Sequence, residues 1–133
     1  MVYYCNINKE ADDFYVVEFP DLPNVTTYGL SLEHALKMAK EALDGVLETD
    51  YDYFHPINRP SYRGGHAIEV DPRIAFAIEL RRARAERTLE DVAKDLGMSY
   101  QQYQRLENPK TTNPTLKTIY KIQSILNHKF LRI

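Results

Sequence analysis

The chain has one cysteine, Cys5, and no tryptophan among its 133 residues. A lone cysteine rules out an intrachain disulfide. Long apolar runs are missing as well, and no stretch approaches the ~20 residues of a membrane span. The opening MVYYCNINKEADD has neither a basic start nor a long apolar core, so no secretory signal is expected and the expected location is cytoplasmic. Glycine is scarce at five residues, and Gly64-Gly65 reads as a bend rather than a phosphate-cradling loop. The four histidines, His34, His55, His66 and His128, stand at no metal-ligand spacing from one another or from Cys5. The expectation is therefore no metal and no cofactor.

A net charge of −2 hides a division. Residues 1–71 hold five Lys or Arg against thirteen Asp or Glu, a net of −8, and residues 72–133 hold twelve against six, a net of +6. An acidic half joined to a basic half implies two different partners. The basic half suits a phosphate backbone. The acidic half would be repelled by nucleic acid and suits a basic protein.

The most informative stretch is TLEDVAKDLGMSYQQYQRLEN, Thr88 to Asn108. Thr88 can cap a first helix, on which Leu89, Val92, Ala93 and Leu96 make an apolar stripe. Gly97 sits where a helix ends with positive φ. Ser99 can cap a second helix whose inward positions are Tyr103 and Leu106. Tyr100, Gln101, Gln102, Gln104 and Arg105 are then free to face outward, and Gln and Arg can make two hydrogen bonds to a base edge in the major groove. Helical patterns flank the pair, from Pro72 to about Arg87 and from Thr115 to about Asn127. The four-helix order and the run Arg105-Leu106-Glu107-Asn108 resemble the Cro and lambda-repressor family of helix-turn-helix domains over roughly residues 73–128. Pro109 departs from the Gly that this family often carries after the Asn. The resemblance implies that Tyr100, Gln101 and Arg105 face the groove and that Arg82 pairs with Glu107. Thr88, Ser99 and Asn108 are placed for phosphate contacts, and Gln102 and Lys110 are further candidate DNA contacts.

In the first half, Val2–Ile7 and Phe14–Phe19 read as strands around a polar turn, and Asn24–Tyr28 supports a third. A helix follows, with Ser31 as cap and Leu32, Leu36, Ala39, Leu43, Val46 and Leu47 at helical spacing. Residues 49–65 show no clear period, and its Tyr51–Tyr62 part is long enough to be a binding segment or a tether. His66–Val70 is a last short strand. The order β-β-β-α-β predicts an α+β unit with the helix on one face of a sheet.

Phe19-Pro20-Asp21-Leu22-Pro23, then Gly29, then Leu32, Glu33 and Ala35 resemble the HicB-type antitoxins over about residues 2–70, with Gly29-Leu30-Ser31 in place of the frequent Gly-Asp-Thr. The resemblance implies a partial RNase H-like fold without nuclease activity, neutralisation of a HicA-type mRNA interferase, and repression of the shared operon. Nuclease chemistry would need carboxylates clustered on strand ends. Asp12, Asp13, Glu18 and Asp21 offer no convincing inward-facing pair, so no enzymatic activity is expected. The reading is thus a toxin-binding domain, residues 1–70, and an all-α helix-turn-helix DNA-binding domain, residues 71–133. Asp12, Asp13, Asp21, Glu41 and Asp44 are the candidate toxin contacts. Asp71 can cap the next helix and Pro72 suits its first position. The expected partners are a HicA-type toxin, operator DNA and a second copy of the chain. Self-association is expected through the 115–127 helix and the tail Phe130-Leu131-Arg132-Ile133, as a dimer or a tetramer. The alternative is a repressor whose first domain senses a small ligand.

Overall fold

The structure is a computed structural model, described here for residues 1–130. The chain divides into two compact units, Met1–Asp71 and Pro72–Ile133. Asp71 donates its backbone N–H to the Asp44 carboxylate at 2.9 Å, which ties it to the first unit.

The first unit opens with β1 (Val2–Ala11), β2 (Phe14–Phe19) and β3 (Leu22–Gly29), followed by helix α1 (Leu32–Asp52) and strand β4 (His66–Glu69). All strand pairs are antiparallel and the sheet order is β3-β2-β1-β4. Alternation of side chains sorts the strands into two faces. Tyr3, Cys5, Val17, Phe19, Leu22, Val25 and Ile68 are buried, and Ala35, Ala39, Leu43, Leu47 and Tyr51 of α1 are buried as well. Leu43 and Leu47, each fully buried, contribute about 1.5–3 kcal/mol apiece. Burial in this layer pushes the Cys5 thiol up to about 11, so it stays protonated. Helix α1 packs chiefly on β3. The approach is close at Gly29, where a Cβ would stand 2.3 Å from the Ala35 amide nitrogen.

The first hairpin is longer than its sequence implies. β1 continues through Asn8–Ala11, with a bulge between Lys9 and Ala11, and the turn shrinks to Asp12-Asp13, Asp13 holding φ +58°. Backbone pairing with β2 needs no apolar side chains, so polar, exposed residues extend the strand. Helix α1 likewise runs on to Asp52, which places Tyr51 in its buried face rather than in a loop.

Beyond α1 the chain crosses the sheet as an extended strap that Asp21 fastens. Ser61 donates to Asp21 from both its backbone N–H (2.7 Å) and its hydroxyl (2.8 Å), and the Tyr62 N–H donates at 2.9 Å. Asn58 adds a bond from its side-chain amide to the Asp21 carbonyl at 3.0 Å. At one end of the strap the buried Tyr3 hydroxyl donates to the Asn58 carbonyl at 2.6 Å. At the other, the Tyr62 hydroxyl donates to Asn6 Oδ1 at 2.9 Å. Tyr3 and Asn6 point to opposite faces of β1, so the strap passes from one side of the sheet to the other.

The second unit consists of α2 (Pro72–Arg84), α3 (Leu89–Leu96), α4 (Tyr100–Leu106) and α5 (Leu116–Leu126). Leu80, Val92, Ala93, Leu96, Tyr103 and Ile122 form its buried core, with Phe76, Leu89, Met98, Leu106, Ile125, Leu126 and Phe130 packed around them.

Candidate nucleic-acid interface

Local rules set the turn between α3 and α4. Thr88 Oγ accepts the Asp91 N–H, and Gly97 closes α3 in the left-handed conformation at φ +68°, ψ +33°. Ser99 then starts α4 with a reciprocal cap. Its Oγ accepts the Gln102 N–H at 3.1 Å while Gln102 Oε1 accepts the Ser99 N–H at 2.9 Å. Tyr103 is fully buried and fixes the inward face of α4. The opposite face carries Gln101, Gln104 and Arg105, all exposed and at mutual spacings of one, three and four residues. Tyr100 is half-buried at the margin.

The expected contact residues have different surroundings. Gln102 is engaged in the capping box, so its carbonyl oxygen serves the backbone. Gln104 takes a place beside Gln101 and Arg105, which its outward spacing already indicated. Thr88 and Ser99 each use their oxygen as a cap acceptor and keep a hydroxyl proton to donate. Asn108 Oδ1 accepts the Lys110 N–H at 2.9 Å, and the backbone N–H groups of Thr111 and Thr112 return to the Asn108 carbonyl. Pro109 is buried within this turn, and Lys110 is left exposed beside α4.

The expected pair between Arg82 and Glu107 is corrected. The partner of Glu107 is Arg84, in a two-pronged bond of 2.6 Å from Nε and 3.0 Å from Nη2, with side chains only 16% and 8% exposed. Arg84 also donates to the Arg87 carbonyl at 2.8 Å. Arg82 meets Glu79 instead, at 3.2 Å. Two residues along a helix turn the side chain through about 200°, so Arg82 and Arg84 point to opposite sides. Glu107 is the C-cap of α4, and the pair therefore binds the end of that helix to the end of α2. Next to it Arg87 bridges Asp91, at 2.7 Å, and Asp95, which offsets part of the negative charge on the exposed side of α3. Those two partners, Asp91 first, hold the Arg87 pKa above its ordinary value.

Helix α5 divides its apolar side chains between core and surface. Ile119 and Ile122 are buried in the core, and Ile125 and Leu126 pack against it, while Leu116 and Tyr120 stand exposed. Phe130 lies against Phe76 with ring centroids 5.3 Å apart, inside its own unit. Leu131, Arg132 and Ile133 lie outside the described residues.

The five acidic candidates of the first unit do not share one surface. Asp12 and Asp13 form the exposed tip of the first hairpin, and Asp21 lies in the next turn, at the other end of the sheet. Asp21 is occupied by the strap, and the Ser61 N–H above all holds its carboxyl below the usual value. Asp44 binds Lys40 at 2.9 Å as well as the Asp71 amide. Glu41 is exposed on α1.

Comparison with known proteins agrees with this architecture. Residues 78–129 match the helix-turn-helix family, and residues 3–79 match a family described as HicB-like antitoxin of bacterial toxin-antitoxin system. The chain belongs to the HicB-like antitoxins. It is 33% identical to antitoxin HicB 2 of Photorhabdus laumondii over 69% of this chain and 68% of that protein. It is 25% identical to antitoxin HicB 1 of the same organism over 97% of this chain and 84% of that protein. The crystal structure of the N-terminal domain of Burkholderia pseudomallei antitoxin HicB is also similar, at 25% identity and a TM-score of 0.47, covering 53% of this chain and 99% of that one. The HicB-like match and the helix-turn-helix match together support an antitoxin that binds DNA. Among the described residues no helix is long and apolar enough to cross a membrane.

Proposed function

We propose that this chain neutralises a HicA-type mRNA interferase through its first unit and represses the operon encoding both proteins through its second. The observation that carries the reading is the joining of an acidic HicB-like unit to a basic helix-turn-helix unit whose α4 turns Gln101, Gln104 and Arg105 to solvent. Masking works by shape and charge, an acidic surface occupying the place of RNA phosphate. Operator binding works through bases read by Gln101, Gln104 and Arg105. Phosphates are held by Thr88, Ser99, Asn108 and Lys110 and by the N-terminal amides of α4. No bond-making chemistry is assigned to the chain, and both activities belong to the cytoplasm, where mRNA and operon DNA lie.

One α4 reads only a few base pairs, so the reading includes a homodimer that places two such helices on half-sites about one helical turn apart. Leu116 and Tyr120 of α5, 62% and 51% exposed, are the contact proposed for it. The test is co-expression with the neighbouring toxin gene, together with a mobility-shift assay on the upstream DNA. Growth rescue and a retarded band are expected. Failure of the full chain to rescue growth would refute the antitoxin reading. A monomer by sedimentation at micromolar concentration would refute the dimer.

A further inference from the structure

The first unit exposes six large hydrophobic side chains among the described residues, and four of them gather at one end of the sheet. Phe14 follows the Asp12-Asp13 turn directly, and its ring stands 5.3 Å from that of Tyr28. Tyr28 pairs across strands with Val16, and the next residue, Gly29, pairs with Tyr15, so β3 ends beside the same hairpin tip. Leu30 and Leu32 come immediately after. Exposures are 38% for Phe14, 53% for Tyr28, 56% for Leu30 and 45% for Leu32. The other two, Tyr53 and Phe54, lie past the far end of the 21-residue α1, roughly 30 Å away at 1.5 Å per residue.

An exposed Leu in a turn has no local structural purpose, and contiguous apolar patches with a polar rim mark interaction sites. This patch is also rigid. The Leu30 N–H donates to His34 Nδ1 at 3.0 Å, the Ser31 hydroxyl caps α1, and Gly29 lies tight against Ala35. A partner would find the side chains already in place, which lowers the entropic cost of docking. The charge beside the patch selects the partner. Asp12 and Asp13 project from the tip, and the neighbouring cation, Lys9, already lies 3.9 Å from Asp12. Within a unit of net charge −8, this end presents an apolar centre beside one paired acid, Asp12, and one, Asp13, that has no ion pair among the described residues.

We infer that the hairpin end of the sheet, with Phe14, Tyr28, Leu30 and Leu32 beside Asp12 and Asp13, is the surface on which the first unit docks its small basic protein partner. The inference rests on the antitoxin reading and gives that reading a location. Asp21 and Asp44 are excluded from the docking surface, because their carboxylates hold the strap and the unit's last residue.

The test uses the full chain and a catalytically inactivated copy of the basic toxin encoded beside it, titrated by calorimetry. Tyr28→Ala and Leu30→Asp should each weaken binding by about tenfold or more, as truncation of an interface anchor does. Both should leave the melting temperature and operator affinity unchanged. Asp12→Asn with Asp13→Asn should slow association and flatten its dependence on salt. Tyr53→Ala, at the far end of α1, should bind as the parent does. Parental affinity in both Tyr28→Ala and Leu30→Asp would overturn the inference while leaving the antitoxin reading intact. No binding by the parent chain would overturn both. A change of oligomeric state in Leu30→Asp with toxin affinity retained would assign the patch to a second copy of the chain and overturn the inference.

Discussion

Side chains at the turn between α3 and α4 divide into those that build the helices and those that they present. The capping box makes Gln102 part of the frame and leaves Gln101 and Arg105 at the centre of the free face. Gln101→Ala should therefore cost roughly 1–3 kcal/mol on the operator and relax specificity at one base pair. Gln102→Ala should lower thermal stability and leave the base preference unchanged. Measured affinities on a set of single-base operator variants separate the two; equal relaxation by both would refute the division. The Arg84–Glu107 pair makes a second residue-level case. Removing one member leaves a charge stranded in a site almost closed to water, so Arg84→Ala should cost about 3–5 kcal/mol. The double change Arg84→Met with Glu107→Leu should cost much less. A denaturant titration of the three variants gives the comparison, and equal losses in single and double variants would refute a coupled pair. The resemblance to the Cro and lambda-repressor family implied that an Arg on α2 meets Glu107 but placed it at Arg82, where the structure has Arg84. Residues 82 and 84 fall in one run of charge, and only the rotation of α2 about its axis decides between them.

At the scale of elements, the sequence was most legible where a backbone rule acts locally. Thr88, Ser99, Ser31 and Gly97 each took the cap assigned to them, because a short side chain or a missing Cβ suffices to end a helix. It was least legible where distant segments meet. Nothing within residues 53–65 marks an ordered strap, since its order comes from Asp21, about forty residues earlier in the chain. The same contact gives Asp21 a structural task that its place in the sequence does not reveal. Its carboxylate receives three hydrogen bonds, which favour the ionised form and hold its pKa below the ordinary 3.8. A carboxyl with a depressed folded pKa contributes stability that is present above its unfolded pKa and lost as pH falls through the folded value. The strap should therefore loosen below about pH 4. Asp21→Asn should remove this acid-side dependence and raise amide exchange at Ser61 and Tyr62 at neutral pH by about tenfold, the size expected for a charge-assisted hydrogen bond. Unchanged exchange at both amides would show that the strap is held by other contacts.

On the scale of the whole molecule, the opposite charges of the two units imply that their tasks can be separated. Residues 1–71 carry the acid and the hairpin patch, and residues 72–133 carry the cations and α4. The division falls after Asp71, whose amide is held by Asp44, and before Pro72, whose missing N–H costs nothing at the first turn of a helix. Each side has its own buried layer, the sheet with α1 on one and the core around Leu80, Tyr103 and Ile122 on the other. Expressed alone with the toxin, residues 1–71 should restore growth, less strongly than the full chain, since a ~70-residue unit is only marginally stable. Residues 72–133 should retard operator DNA and give no rescue. Salt provides a second axis. Binding of the acidic fragment to the basic toxin should weaken as ionic strength rises, because long-range attraction is screened. Operator binding should weaken more steeply, because each phosphate contact releases a counterion. Growth rescue by residues 72–133 alone would overturn this division of labour, whatever the DNA result. Rescue that requires both fragments together would mean that neutralisation depends on the second unit, through its dimerisation or its control of expression, and that the charge division does not mark a division of function.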